Sequence, residues 1–308
     1  MSEFKNILVG VDLSQGKQLV SSDLPLPGVE AIERAQLLAK ANSARMRFFH
    51  SLDVSVLTQR TIDEFNSDSK TAFDRSKDVL SKLVERAKSK GIDADFEIRS
   101  GQSWLEMIRL VMSDNHDLVV AGSRNLGTVK GFLMGSTGMQ LLRKCPCPVW
   151  ITQPQASKSI KSVLVAHCLR TVGDVAMELG CSIAEMHGAQ LHVIHSLQFP
   201  ELDSVFPSIV SLEKSAAIRS EAQQHIDSQL KKHKFSKQPH VHIVTDAPDF
   251  ATLQLIKKFD IELLVMGTIA RAGIAGFFTG NTAERLLPQI PCSVLAVKPP
   301  GFVFPDSN

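Results

Sequence analysis

The sequence predicts two tandem α/β domains, each an open, doubly wound sheet of five parallel strands flanked by helices. Three observations carry that expectation. At 308 residues the chain is about twice a typical domain. Its second half superimposes on its first, so one unit has been duplicated. Within each half, short apolar runs without alternation recur between helical patterns, as strands buried on both faces of a parallel sheet require.

The duplication is read by sliding the chain against itself by 145 residues, which lays "DLVVAGSRNLGTVKGFLMGSTGMQLLRKCPCPVWITQP" on "ELLVMGTIARAGIAGFFTGNTAERLLPQIPCSVLAVKP" without a gap. Gly122/Gly267, Gly135/Gly280, Thr137/Thr282, Leu141/Leu286 and Cys147/Cys292 are among the matched identities. Upstream, His50-Ser51-Leu52 falls on His195-Ser196-Leu197. Asp12 falls on Cys168, an offset of 156, which leaves the first copy 11 residues longer between its first and second strands. A period this long marks duplicated domains, since solenoid repeats run about 20–50 residues. The expected domains are 1–155 and 156–308, with the polar stretch "TQPQASKSIK" (152–161) as linker.

The strands follow in order. Strand 1 is "NILVGVD" in the first copy and "SVLVAHC" in the second; strand 2 is "RMRFFHS" and "QLHVIHS"; strand 3 is "ADFEIRS" and "HVHIVTD". Strand 4 is "DLVVAG" and "ELLVMG", and strand 5 is "CPVWIT" and "CSVLAV". Between them "PGVEAIERAQLLAKA" has a proline in its first turn, and "AFDRSKDVLSKLVERAKSKG" ends on a capping glycine. Right-handed crossovers then wind the helices over both faces.

Composition excludes several function classes. The chain is 44% hydrophobic and 21% charged with a formal net charge of +2, too balanced for a nucleic-acid or membrane surface. "MSEFKNILVG" does not read as a signal peptide, and no apolar run reaches the roughly 20 residues of a membrane span. Five cysteines without a tight framework suggest a reducing compartment, so a cytoplasmic location is expected.

The loop after strand 4 holds the candidate chemistry. Gly122 ends a buried strand, and Gly135 precedes the helix "STGMQLLRKC", with Ser136 as the expected N-cap. In doubly wound sheets ligands bind beyond the carboxyl ends of the strands, and the amides at both ends of this loop could cradle phosphates against the helix dipole. The plainer reading is that the glycines permit a tight strand exit and close helix–sheet contact. No Lys follows the second glycine, so the loop is not a Walker A motif, and it follows a late strand, so it is not the Rossmann fingerprint.

A loop of the form G-x-x-G-(nine residues)-G-(S/T) after strand 4 resembles the nucleotide-binding loop of universal stress proteins. "ILVGVD", the "HS" ending strand 2, "GNTAE" and "LLRKCPCPVW" extend the resemblance over nearly the whole chain, toward the tandem E type. The resemblance implies a stress-response regulator binding ATP or a related adenine nucleotide with Mg²⁺, with slow hydrolysis at most. It implies a nucleotide site of Asp12, Ser51, Gly122, Ser123, Asn125, Gly135, Ser136 and Thr137. Asp12 matches the acid that meets the adenosine, and Ser51 the position whose backbone meets the adenine edge. Asn125 stands where the family has its middle glycine; Asn tolerates left-handed geometry better than most residues. In the second copy Cys168 replaces the acid, Ala270 the middle glycine and Asn281 the terminal Ser/Thr, which reads as a degenerate or retuned site. The alternative is a scaffold that acts through partner contacts, with both sites empty or holding another metabolite.

Other features point to structure. Cys145-Pro-Cys147 reads as buried packing, because Cys147 matches Cys292. His50 and His195 read as satisfied core histidines, and Asp93, Asp95 and Glu97 as a solvated edge. No nucleophile elbow is present and no catalytic or metal-ligating residue is assigned. The apolar fifth strands suggest an internal pseudo-dimer of the two halves that hides Val149, Trp150 and Val294, with further self-association left open. The long segment after Asp12 suggests a lid over the nucleotide.

Overall fold

In a computed structural model the described residues are 4–14, 20–52, 71–123, 134–155, 157, 159–197, 212–268 and 281–302. They divide into two compact units, one ending at Pro154 and the next beginning at Gln155.

In the first unit β1 (Asn6–Gly10), α1 (Leu26–Asn42), β2 (Arg45–Leu52), α2 (Ala72–Ser89), β3 (Ala94–Ser100), α3 (Ser103–Asp114), β4 (Leu118–Gly122), α4 (Ser136–Lys144) and β5 (Val149–Thr152) alternate along the chain. All pairings are parallel: β1 lies between β2 and β4, β3 flanks β2, and β5 flanks β4. The order is therefore 3-2-1-4-5, and it reverses between β1 and β4. Ile7, Leu8, Val9, Leu118, Val119 and Val120 are fully buried, as unalternating runs demand of central strands. Thr152, the first residue of the expected linker, is the last of β5.

Local chemistry sets the helix ends. Thr71 and Asp74 form a reciprocal capping box at α2. At its other end Gly91, at φ +79°, donates to Lys88 O while Ile92 donates to Ala87 O, the Schellman pattern that needs a left-handed residue. Helix α1 begins one residue before the expected Pro27, with Pro25 as N-cap.

The second unit repeats the plan with β6 (Ser162–Ala166), α5 (Thr171–His187), β7 (Gln190–Ser196), α6 (Leu212–Leu230), β8 (His240–Val244), α7 (Pro248–Lys258), β9 (Leu263–Gly267), α8 (Asn281–Leu286) and β10 (Ser293–Val297). Here β6 lies between β7 and β9, with β8 and β10 outermost. Among the described residues no helix is long and apolar enough to cross a membrane.

The solvated edge of β3 also carries an ion network. Asp95 is part of an ion network on β3, with its carboxylate held by Arg45 and Arg47 of β2, while Arg47 also reaches Asp114. Parallel pairing puts β2 and β3 side chains in register, which periodicity in one strand cannot show. Burial pulls the Asp95 carboxyl up, but the bond to Arg47 and the two guanidinium charges outweigh it and leave it below the ordinary range.

Candidate functional site

Because β1 and β4 are neighbours at the reversal, their carboxyl ends flank the crevice where doubly wound sheets take ligands. Asp12, two residues beyond β1, is exposed there, and its Oδ1 accepts from the amide (2.9 Å) and hydroxyl (2.6 Å) of Ser14. Gly122 ends the neighbouring strand. The next residue, Ser123, is buried; its amide donates to Thr152 O, and its hydroxyl has no partner among the described residues. Ser51, near the end of β2, stands at the same edge. Helix α4 leads back to β5, so its start returns to that edge too.

Gly122 has a structural duty of its own. A Cβ there would lie 2.6 Å from Pro27 C, 2.7 Å from Pro27 O and 2.8 Å from Gly28 N, backbone atoms at the start of α1. Thr152 Oγ1 donates to the same Pro27 carbonyl at 3.1 Å. The first turn of α1 is thereby clamped against the ends of β4 and β5. The plainer reading of this glycine, close helix–sheet contact, is physically satisfied.

The start of α4 differs from expectation by one residue. Gly135 is the N-cap, with φ −61° and ψ 161°, and Ser136 is the first helical residue. A glycine cap has no side chain to occupy the free amides of the first turn, so those of Ser136, Thr137 and Gly138 remain unmet by a cap. No acidic residue sits in that turn, and Arg143 and Lys144 lie in the last one. Among the described residues of this turn nothing negative faces the dipole's positive end. Asn125 and the interior of the loop lie outside the described residues.

The paired His-Ser positions serve the fold in both copies. His50 Nδ1 bonds Val11 O at 2.9 Å, and His195 Nδ1 bonds His167 O at 2.8 Å, in each case the carbonyl just beyond the first strand. Burial pushes both imidazoles below their usual pKa, against the pull of that carbonyl. The next residue repeats likewise, Ser51 Oγ donating to Gly101 O and Ser196 Oγ to Asp246 O. Cys145 and Cys147 are free thiols with sulfurs 3.6 Å apart, and burial, then the neighbouring thiol, pushes Cys147 up. A buried thiol held neutral is a packing group and a poor nucleophile.

The second copy's edge has been rebuilt. Cys168 is exposed where Asp12 stands in the first. The nearest atoms to a Cβ on Gly267 would be those of the Val172 side chain, at 2.7 and 3.0 Å. Lys298, buried and one residue past β10, donates its amine to Thr268 Oγ1, and its amine lies 5.5 Å from the Phe302 ring centroid. Helix α8 carries Glu284 in its first turn, a negative charge where α4 has none. Lys298 did not stand out in the sequence, because it belongs to no motif, and Glu284, the last residue of "GNTAE", was given no role there. A separate cavity of about 520 Å³, lined by residues including His192, His240 and Phe259, lies at the opposite, amino-terminal edge of β6–β8.

Comparison with known proteins fits this geometry. The model of the universal stress protein family matches residues 3–153 and again 159–298. Universal stress protein E of Photorhabdus laumondii is 24% identical over 322 residues, covering 99% of this chain and 98% of that protein. Its Escherichia coli K12 counterpart is 23% identical over 331 residues, covering 99% and 97%. Among solved structures, a universal stress protein from Archaeoglobus fulgidus DSM 4304 superimposes with a TM-score of 0.66 at 20% identity, covering 95% of this chain and 98% of that one. The chain belongs to the universal stress protein family, with two copies of the family's domain in the tandem arrangement of the E type.

Proposed function

We propose that the first copy binds ATP or a related adenine nucleotide at the carboxyl edge of β1 and β4, and that the chain is a cytoplasmic stress sensor rather than a metabolic enzyme. The observation that carries this reading is the first turn of α4, which has a glycine cap, no side-chain cap bond among the described residues and no acid, while its counterpart α8 carries Glu284. Phosphate oxygens are the natural partners of such a turn. In this reading Ser136, Thr137 and the backbone of Gly122, Ser123 and Gly135 hold phosphate. Asp12 takes a ribose hydroxyl, and the Ser51 backbone meets the base. Asn125 supplies the loop's middle turn. Mg²⁺ would be held chiefly by phosphates and water, since Asp12 is the only acid in the set.

Titration of the full chain with ATP tests the assignment. One equivalent is expected, and Asp12→Ala weakens it about 10- to 100-fold, the worth of one charge-assisted hydrogen bond. Binding untouched by Asp12→Ala but abolished by changes at Cys168 or Glu284 would place the site in the wrong copy. Cys168 and Glu284 favour a scaffold or retuned role for the second half. The segment after Asp12 is proposed as a lid; its base is fastened by Ser21 N to Leu13 O at 2.7 Å, and residues 15–19 lie outside the described ones. Amide exchange over residues 14–27 that ATP leaves unchanged would remove the lid. The two halves are further proposed to meet through their last strands; clean separation after cleavage between residues 155 and 161 would refute that.

A further inference from the structure

His167, Asp174 and His225 come from three elements of the second copy: the turn after β6, the first turn of α5, and the body of α6. His167 Nε2 lies 3.3 Å and His225 Nε2 3.0 Å from the same oxygen, Asp174 Oδ1. All three donor atoms fall within 4.8 Å of one another. A tetrahedral Zn²⁺ with ligands at about 2.0–2.1 Å holds its donors about 3.3 Å apart, and the two imidazole-to-carboxylate distances are already near that value.

Two buried polar atoms here lack a hydrogen-bond partner among the described residues, His167 Nε2 and Gln229 Oε1. The His167 side chain has no exposed surface, and its Nε2 approaches Asp174 without the alignment a hydrogen bond needs. Gln229, one turn after His225 on α6, presses its Nε2 to 2.5 Å from Asp174 Oδ1 and 3.0 Å from His225 Nε2, leaving its carbonyl oxygen unmet. Unpaired buried groups are costly; a cation here would meet His167 Nε2, and with the Gln229 amide turned over the oxygen would take the place of the amine now beside Asp174 Oδ1 and face the same ion.

We infer that His167 Nε2, Asp174 Oδ1 and His225 Nε2, with Gln229 Oε1 as fourth donor, form a binding site for a divalent transition cation, Zn²⁺ by its donor chemistry. Two imidazoles and a carboxylate suit zinc better than the all-oxygen shells of Mg²⁺ or Ca²⁺. His167 Nδ1 accepts the Leu169 amide at 3.1 Å, which puts the ring proton on Nε2 in the metal-free protein. On binding, that proton transfers to Nδ1 and the Leu169 amide releases. Leu169 is held at φ +52°, a left-handed conformation costly for a leucine, so it has reason to relax. In the first copy Val11 and Val29 occupy the places of His167 and Asp174, so the cluster belongs to the second copy alone. It is independent of the nucleotide reading.

The test uses the full-length chain stripped with EDTA and titrated with Co²⁺, then with Zn²⁺ as competitor. One equivalent of Co²⁺ is expected, with the intense visible absorption of tetrahedral coordination, bleached by Zn²⁺. His225→Ala, at a residue 42% exposed and safe for folding, and Asp174→Asn should each abolish the band. Gln229→Leu should weaken binding about 10- to 100-fold. Exchange at the Leu169 amide should quicken on binding. No uptake at micromolar free Co²⁺, or a band unmoved by these variants while their thermal unfolding matches the parent, would overturn the site.

Discussion

Adding one methyl group at Gly122 should cost the first copy far more than the same change at Gly267 costs the second. In Gly122→Ala the new carbon would sit 2.6–2.8 Å from three backbone atoms of Pro27 and Gly28, distances that real carbons do not tolerate. Backbone cannot rotate away, so α1 must lift from β4, straining the Thr152–Pro27 bond. Overpacking of this kind costs about 1–3 kcal/mol, and a backbone clash belongs at the upper end. In Gly267→Ala the obstacle is Val172 Cγ2 at 2.7 Å, the tip of a side chain, and the loss should stay near about 1 kcal/mol. For a unit of about 150 residues each kcal/mol is about 2–4 °C of melting temperature, so about 6–12 °C is expected for the first copy and about 2–4 °C for the second. Calorimetry of the two full-length variants measures both. Equal shifts, or a larger one for Gly267→Ala, would refute the clamp. Because α1 also lies beside the proposed nucleotide edge, Gly122→Ala should weaken ATP binding as well.

Thr152→Val removes the hydroxyl bond to Pro27 O and should cost about 1 kcal/mol, seen as a lower urea midpoint; an unchanged midpoint means that bond contributes nothing net. The Asp95 carboxyl is depressed when folded, so its stabilisation is complete above the unfolded value of about 3.9 and is lost as pH falls through the folded value. Urea midpoints taken between neutral and strongly acid pH should fall there, and Arg47→Met should flatten that part of the curve; identical curves would show the network to be ornamental. His167, His192, His195 and His242 are all held below their usual pKa, chiefly by burial, so the second copy should lose stability as pH drops below about 6.5, where the unfolded chain takes up protons that the buried rings do not. A flat midpoint over that range would contradict their burial.

Duplication, the succession of strands and helices, and family were legible in the sequence because they rest on patterns along the chain. Runs such as "NILVG" and "DLVVAG" carry no alternation, and only a sheet covered on both faces buries them. The Gly122 and Gly135 loop, set after strand 4 in each copy, pointed to the carboxyl edge because α/β topology leaves that edge open. Local chemistry was less decisive. Ser136 looked the better cap, yet Gly135 takes that place, with φ −61° and ψ 161°.

What the sequence by itself determined is therefore the repeated fold and the edge at which a ligand would sit, both properties of periodicity and order. Only the tertiary structure decided which atoms meet. Asp95 finds Arg47 across a strand pair, and Gly122 finds the backbone of Pro27 some 95 positions earlier in the chain. His167, Asp174 and His225 converge from a strand end and two helices. Each of these contacts joins elements whose separation along the chain carries no information about their separation in space, because the distance is set by how helices pack on a twisted sheet.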